Sequence, residues 1–544
     1  MLSCRHLAQH HVSDELSANL SRVLLYMPES GQNPKILNLA DVRYVIVQAG
    51  GLGTRLGRHT RNKPKCLLSV NGRPIIYSLF DRFPGATFVV IIDHLADVFE
   101  RYIALFPPHV RVMTVRASEK GTAAGLKSAA ALLPSDHEPF MLVWGDLRLG
   151  DLPDTTIDDR LRVGLTSSFS CRWSWSAEAG LVEIASDKFG VMGLFGIPGR
   201  RLLAHCPDAG EFVEWLAKSN VPLDPVMIDD AVEIGTVASL TAQRRSSTSA
   251  RYFNVVEICQ TTVRKHARDP HFSQLIDDEI SWYKFVTGLG FLNIPELLAE
   301  VPLTLARMAG SHPFDLALDP AGQARVLDSI VEALSDLHRR GAHPGSVISA
   351  EQMYREKPLI RLEAVRKLAP NLTDRERLSI NGRSCRNILH PRHVAWFHEQ
   401  VDTLGIKPFT PIHGDPTFSN ILIDTIGKPW FIDPRGRFGD LPLYGDPRYD
   451  WAKLYYSVIG GYDLFNTKQF EMHIDGDSVD IFIDDHGWGH LKPIIERHVS
   501  DDLTAVKTIH ALIWLSLSGF AIDDYDSVIA AYALGLFYLE ESTC

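Results

Sequence analysis

Between Tyr44 and Asp146 the chain repeats one unit, a short apolar run followed by a helix-like stretch. The runs YVIVQ, FVVIID and FMLVWGD are short, rich in Val and Ile, and end at glycine or aspartate. Residues 74–83, 96–105 and 125–133, which lie between them, carry helical patterning. Strands alternating with helices bury both faces of a sheet and align mostly in parallel. This part of the chain is therefore predicted to be α/β, with ligands bound beyond the carboxyl ends of its strands.

At 544 residues the chain is long enough for three or four structural units. Lys and Arg number 55 against 66 Asp and Glu, a net charge of −11. A net-negative chain lacks the basic footprint that phosphate backbones and anionic membranes require, so neither nucleic acid nor membrane is an expected partner. Its seven cysteines (Cys4, Cys66, Cys171, Cys206, Cys259, Cys385 and Cys544) are scattered, odd in number and without a C-x-x-C pair. Such spacing offers neither a zinc ribbon nor a disulfide framework. The first twenty residues have no continuous apolar core of the signal-peptide kind. No run reaches the roughly 18 apolar residues of a membrane span, and the most apolar segment, around 511–520, reads as a buried helix. A cytoplasmic location is expected, with homo-oligomerisation left open.

Residues 1–42 read as an N-terminal extension with an amphipathic helix near 13–27, where Leu16, Leu20, Val23, Leu24 and Met27 share a side. The α/β part occupies 43–242. The stretch QRRSSTSA at 243–250 is small, polar and aperiodic, and is read as a linker. Beyond it, 251–295 reads as strands followed by a helix at 273–289. From about residue 321 helical spacing dominates, interrupted by a strand-loop-strand passage at 409–433.

The first chemical signal is VIVQAGGLGTRLGRHTRNKPKCLLSVNGRPII. A strand runs directly into Ala49, Gly50, Gly51, Leu52, Gly53, Thr54 and Arg55. Closely spaced glycines let backbone N–H groups approach phosphates that bulkier residues would hold away. Arg55 and Lys65 add cations of the kind needed when a triphosphate is attacked at its α-phosphorus and pyrophosphate leaves. A dinucleotide loop is a poorer match, because Leu56 stands where the third glycine belongs and Asp93 lies well past the expected interval of about 20 residues. A Walker loop is excluded by the missing Gly-Lys-Ser/Thr ending.

These residues resemble the nucleotidyltransferases that make nucleotide-activated sugars and cytidylyl-choline-type compounds. The shared pattern is the glycine-rich loop, Thr54-Arg55, Pro64-Lys65 and Gly72-Arg73-Pro74. The resemblance covers about 43–242 and implies a Rossmann-like nucleotidyltransferase domain with a mostly parallel mixed sheet. It also implies that Gly121, Thr122 and Ala123 contact nucleobase and ribose, and that Asp146 binds magnesium. Glu233, in VEIGT, stands where the family has the Asp of an Asp-Ile-Gly-Thr element and is implied as a second metal ligand. The Glu-Lys element with which many sugar-phosphate members hold the acceptor phosphate is not found between 181 and 197.

The second signal is PIHGDPTFSNILIDTIGKPWFIDPRG. Asp415 precedes Asn420 by the interval of a kinase catalytic loop, where the Asp accepts a hydroxyl proton and the Asn holds magnesium. Asp433 follows the next strand, where a further magnesium ligand belongs. The ordered set His413, Asp415, Asn420 and Asp433 resembles the aminoglycoside phosphotransferase and choline kinase superfamily, over about 251–544. That implies a two-lobed, protein-kinase-like domain with an N-lobe at 251–310 and a C-lobe at 311–544. It further implies Lys265 on the ATP phosphates, Glu279 as its helix partner with Asp278 as an equally placed rival, and Met308 in the interlobe hinge at 307–310. Asp446 and Asp450 in YGDPRYDWAKLYYSV are read as bracing the catalytic loop. Trp451, Tyr455, Tyr456 and Tyr462 are read as partly core, with a cage for a quaternary amine as the alternative.

Together the two resemblances imply a bifunctional enzyme that uses Mg2+ at both sites, with ATP and a second NTP (CTP or UTP) as substrates. It would phosphorylate a small hydroxyl-bearing metabolite and then couple the phosphate to the NTP, releasing pyrophosphate. A sugar acceptor destined for surface polysaccharide is the leading expectation. A choline- or ethanolamine-type kinase with a cytidylyltransferase is the alternative, and a non-catalytic nucleotide sensor a further one.

Overall fold

The computed structural model describes residues 37–117, 119–245, 254–268 and 270–543. The expected helix near 13–27 and most of the expected linker lie outside these residues. Gln243 belongs to the helix Val237–Arg245, so at least the first residues of that polar stretch are helical.

The N-terminal part is organised on a nine-stranded sheet. Tyr44–Gln48 is central, parallel to Thr87–Ile92 on one side and to Phe140–Trp144 on the other. Arg111–Arg116 extends the parallel set beyond Thr87–Ile92, and Gly190–Ile197 joins Phe140–Trp144 antiparallel. The central strands are buried on both faces because helices Ile75–Arg82 and Ala96–Leu105 cover one face of the sheet and Leu126–Ala131 the other. Chain order reverses direction at Tyr44–Gln48: the next strand lies on one side, and Phe140–Trp144 on the other. Such a switch point opens a crevice at the strands' carboxyl ends. Upstream, Leu37–Asn38 pairs with Thr156–Ile157 and Leu39 is buried, so the chain already packs on this domain before residue 43.

The C-terminal part opens with a four-stranded antiparallel sheet in the spatial order Asn254–Ile258, Thr262–Ala267, Leu303–Ala306, Leu297–Ala299. The helix Ser273–Gly288 packs beside it. Helices follow, among them Pro320–Arg339, Lys357–Leu368, Pro447–Val458, Leu503–Ser518 and Tyr525–Ser542. The segment 511–520 falls within and just after Leu503–Ser518, which is buried from Thr508 to Ser516. No helix of the described residues is long and apolar enough to cross a membrane.

The helical expectation beyond residue 321 misses a second four-stranded sheet. It pairs Arg383–Arg386 with Arg377–Ile380, then Ser478–Ile483, then Phe470–Asp475. Its first hairpin turns at Asn381 and Gly382, both with positive φ (48° and 75°), the Asn-Gly signature of a tight hairpin.

The two parts are packed together. Lys63 forms a buried ion pair with Asp524 and another with Asp526 at 2.8 Å. Arg58 meets Glu471 at 2.8 Å, and the Asn62 amide donates to the Met472 carbonyl at 3.0 Å. Ser69 donates to Asp523 at 2.8 Å, and Tyr102 to the carbonyl of Ile522.

Two candidate active sites

The glycine loop leaves the end of Tyr44–Gln48 at the switch-point crevice. Its first amide is anchored by Ala49 N–H donating to the Ile91 carbonyl at 2.9 Å. Around Gly51 there is open space, and Leu52 is exposed, so the loop backbone is accessible to a ligand. Gly53 is left-handed (φ 65°), and a Cβ there would meet Thr60 at 2.9 Å. The Thr60 hydroxyl locks this turn by donating to the Gly53 carbonyl at 3.0 Å. Thr54 and Arg55 then open the helical turn Thr54–Thr60.

Asp146 follows the end of Phe140–Trp144 and faces this loop. One oxygen contacts the Lys65 ammonium; the other, Oδ1, is buried without a hydrogen-bond partner. Glu233 reaches the same place because the strand Ala231–Glu233 pairs with Leu147–Leu149, and Ile234 N–H donates to the Asp146 carbonyl at 2.9 Å. Arg55 lies 3.4 Å from Glu233. Burial, and then the Asp146 charge, raise the Glu233 carboxyl above its ordinary range, against the pull of Lys65 and Arg55. A Cβ at Gly235 would lie 2.4 Å from Glu233 Oε1, so a side chain there would displace this carboxylate. Arg55, Lys65, Asp146 and Glu233 therefore converge. The Thr122 hydroxyl is engaged in pinning two loops: it donates to Glu211 at 3.0 Å and accepts from Phe212 N–H at 2.8 Å. Gly121 and Ala123 sit on the same loop, against Gly210.

In the second site the hairpin Ile421–Ile423 and Pro429–Phe431 sets Asn420 and Asp433 at its two ends. The Asn420 amide nitrogen donates to the Asp415 carbonyl at 2.8 Å. Asp433 has φ 57°, a conformation that a non-glycine residue holds only where its surroundings impose it. Lys265 contacts Asp433 and pairs with Glu279 at 2.8 Å. Burial alone would lower this lysine; the carboxylates of Asp433 and Glu279 overcome that and raise it. Asp278 instead pairs with Arg437 at 3.0 Å, which separates the two rival acids. Met308 lies just after the strand Leu303–Ala306, next to Arg307, whose N–H donates to the Thr261 carbonyl at 2.9 Å.

The loop that carries His413 and Asp415 is held from below. Asp450, fully buried, accepts from His413 N–H at 2.8 Å and Gly414 N–H at 2.7 Å, and pairs with His338 at 3.0 Å. The His413 ring lies 3.0 Å from the Ile432 carbonyl and accepts from Asp415 N–H at 3.2 Å. Burial pushes its pKa down, so the ring is neutral and serves as a strut. Asp446 caps the helix Pro447–Val458 and is bound by Arg448 and Tyr354.

Family models match the chain in two places. One, described as a MobA-like NTP transferase domain, covers residues 45–158; the other, the phosphotransferase enzyme family, covers 241–476. This chain joins a MobA-like NTP transferase domain to a phosphotransferase-family domain. Three curated proteins match part of it. An N-acetylmuramate alpha-1-phosphate uridylyltransferase of Caulobacter vibrioides is 32% identical over 99 residues, 17% of this chain and 41% of that protein. A UTP–glucose-1-phosphate uridylyltransferase of Haloferax volcanii is 32% identical over 124 residues, 21% of this chain and 49% of that protein. A 2-aminoethylphosphonate cytidylyltransferase of Lancefieldella rimae is 30% identical over 97 residues, 17% of this chain and 39% of that protein. The chain spans under half the length of each of these relatives.

Neither domain forms a protein-only metal cage: among the described residues no group of three His, Cys, Asp or Glu suits a metal. Both donor sets fit a hard divalent cation that completes its shell with phosphate oxygens and water. In the transferase domain the observation is the buried, unpartnered Asp146 Oδ1 beside Glu233. In the phosphotransferase domain it is the all-oxygen pair of Asn420 and Asp433.

The phosphotransferase domain also holds residues that motif reading passed over. Arg435 and Lys453 each lie 3.0 Å from an oxygen of Asp415. Both stand inside quoted motifs, IDPRG and DWAKLYY, but only the fold turns them onto Asp415. The four aromatics do not form one cage. Trp451 packs on His338 and His498, and Tyr455 on His510. Tyr456 stacks on Tyr462 with centroids 4.3 Å apart, and Lys453 lies over these rings at 5.2 and 6.0 Å.

Proposed function

We propose that this chain is a bifunctional enzyme that phosphorylates a small hydroxyl compound with ATP and joins that phosphate to a second NTP. The observation that carries the reading is that each domain gathers a full set of phosphate-handling groups: Arg55, Lys65, Asp146 and Glu233 in one, and Lys265, Asp415, Asn420 and Asp433 in the other.

In the phosphotransferase domain, Lys265 holds the ATP phosphates and Glu279 holds Lys265. The acceptor hydroxyl oxygen attacks the γ-phosphorus, its proton passes to Asp415, and the bond from γ-phosphorus to the bridging oxygen breaks, releasing ADP. In the transferase domain, the loop at 49–54 cradles the triphosphate. The phosphorylated acceptor attacks the α-phosphorus, and Arg55 and Lys65 neutralise the charge that develops as pyrophosphate leaves. Asp146 and Glu233 in one site, and Asn420 and Asp433 in the other, would hold Mg2+, which would supply positive charge against that of the phosphates.

A sugar-like acceptor and UTP or CTP are favoured. The three relatives are named for N-acetylmuramate 1-phosphate, glucose 1-phosphate and 2-aminoethylphosphonate, and are two uridylyl- and one cytidylyltransferase. A nucleotide-activated sugar of this kind is a precursor for surface polysaccharide.

The test separates the half-reactions. Asp415→Ala should abolish acceptor-dependent ADP release while sparing pyrophosphate release from NTP and a pre-phosphorylated acceptor. Lys65→Ala should do the reverse. If either substitution in folded protein stopped both reactions, the two-site assignment would fail.

A further inference from the structure

We infer that the phosphotransferase domain supplies positioning residues to the transferase site: Glu471, Asp524 and Asp526 hold the segment that carries Arg55 and Lys65. This rests on the transferase reading above and goes beyond it, because it makes nucleotidyl transfer depend on side chains of the other domain.

Arg55 and Lys65 stand ten positions apart, and the chain between them is irregular. Thr54–Thr60 is a 3-10 turn broken at Gly57 (φ 52°, ψ −120°), and residues 61–64 form neither helix nor strand. On the transferase side the segment is anchored by Leu56, which packs with Leu68, Val70, Ile75, Ile234 and Leu240 in a small apolar cluster apart from those on the sheet. Three side chains between the two cations reach the other domain. Arg58 meets Glu471 at 2.8 Å, and the Asn62 amide donates to the Met472 carbonyl at 3.0 Å. Lys63 is buried against Asp524 and, at 2.8 Å, against Asp526. Lys63 is two residues from Lys65, so the place where its ammonium is held sets how the backbone arrives at Lys65.

The partners are themselves fixed. Asp524 caps the helix Tyr525–Ser542, accepting from the Ser527 N–H at 3.0 Å and from the Ser527 hydroxyl at 2.8 Å. Lys468 links that cap to its neighbour, lying 3.0 Å from the Ser527 hydroxyl and 3.2 Å from Asp523. Glu471 and Met472 sit on Phe470–Asp475, which is paired along its length with Ser478–Ile483. A fixed frame in one domain thus holds an irregular loop of the other. A shift of about 1 Å in a group that acts on the reacting atoms can cost about a hundredfold in rate. Arg55 and Lys65 act on charge that develops as pyrophosphate leaves, so their misplacement lowers kcat more than it raises KM.

The experiment uses the full chain with magnesium and reads pyrophosphate release from UTP or CTP, each with glucose 1-phosphate, N-acetylmuramate 1-phosphate or 2-aminoethylphosphonate. Acceptor-dependent ADP release and circular dichroism of the same preparation report the fold. Lys63→Met should lower kcat for pyrophosphate release at least tenfold, with KM for the NTP changed less than threefold and ADP release within twofold of wild type. The half-exposed pair offers a test that does not strain folding. Arg58→Glu should lower the same kcat at least threefold, and adding Glu471→Arg should bring it back within twofold of wild type. If Lys63→Met loses its fold, this swap decides. Wild-type kcat in folded Lys63→Met, a raised KM with kcat unchanged, or a swap that restores nothing would overturn the inference and leave the transferase reading intact. A wild type silent with every NTP and acceptor would overturn both.

Discussion

Replacing Lys63 with methionine removes the one positive charge of a buried triad at the seam between the domains. The Lys63 side chain is 3% exposed, and those of Asp524 and Asp526 are 2% and 10% exposed. Methionine keeps the apolar stem, so the loss is electrostatic. Breaking a buried pair by deleting one partner costs about 3–5 kcal/mol, because the remaining charge is left desolvated. Two carboxylates remain here, and burial and the Asp524 charge already raise Asp526 above its ordinary range. Asp526→Asn in the Lys63→Met background should therefore regain about 1–2 kcal/mol. With a urea slope of about 3 kcal/mol per M, Lys63→Met should lower the first unfolding midpoint by about 1–1.7 M. Amide hydrogen exchange should quicken at 58–65 and 521–527, the two strips that meet at this seam. A midpoint within about 0.2 M of wild type, with unchanged exchange there, would refute the reasoning.

Further outcomes follow from the same geometry. Asp450→Ala strips the buried acceptor from the His413 and Gly414 amides; at about 1–3 kcal/mol per orphaned donor it should destabilise the phosphotransferase domain and reduce phosphorylation more than tenfold. Nucleotidyl transfer, assayed as pyrophosphate release, should persist; undiminished phosphorylation would show that the loop does not need this brace. His510 is fully buried and accepts from Trp514 Nε1–H at 3.0 Å, and burial pushes its pKa down to about 3. The unfolded chain therefore binds this proton first, so stability falls as pH drops from about 6.5 toward 3, by about 2 kcal/mol at pH 5. Chemical denaturation of wild type and His510→Gln at pH 5 and 7 should show that part of the slope missing from the variant; equal slopes would contradict it.

The α/β character of 44–144 was legible because strands buried on both faces must be apolar throughout, and the turns between them need glycine and aspartate. The placing of Asp415, Asn420 and Asp433 together was legible for a similar reason, since the loop that carries Asp415 and the hairpin beside it lie within one short stretch of chain. The sheet formed by 377–386 and 470–483 was not. Its Asn381-Gly382 hairpin is a local signal, but the parallel pairing of Ser379 with Ser478 joins residues far apart in sequence. Choosing Glu279 over Asp278 likewise needed the helix's rotation against Thr262–Ala267.

What the sequence determined by itself is the identity of the two domains and the motifs proposed to handle phosphate, because these depend on local spacing and backbone freedom. Only the tertiary structure decided which charges meet: Lys65 with Asp146, Lys453 and Arg435 with Asp415, Lys63 with Asp524 and Asp526. Electrostatic partnership acts across a few ångströms of space, whatever the number of residues between the partners, and motif spacing carries no record of it.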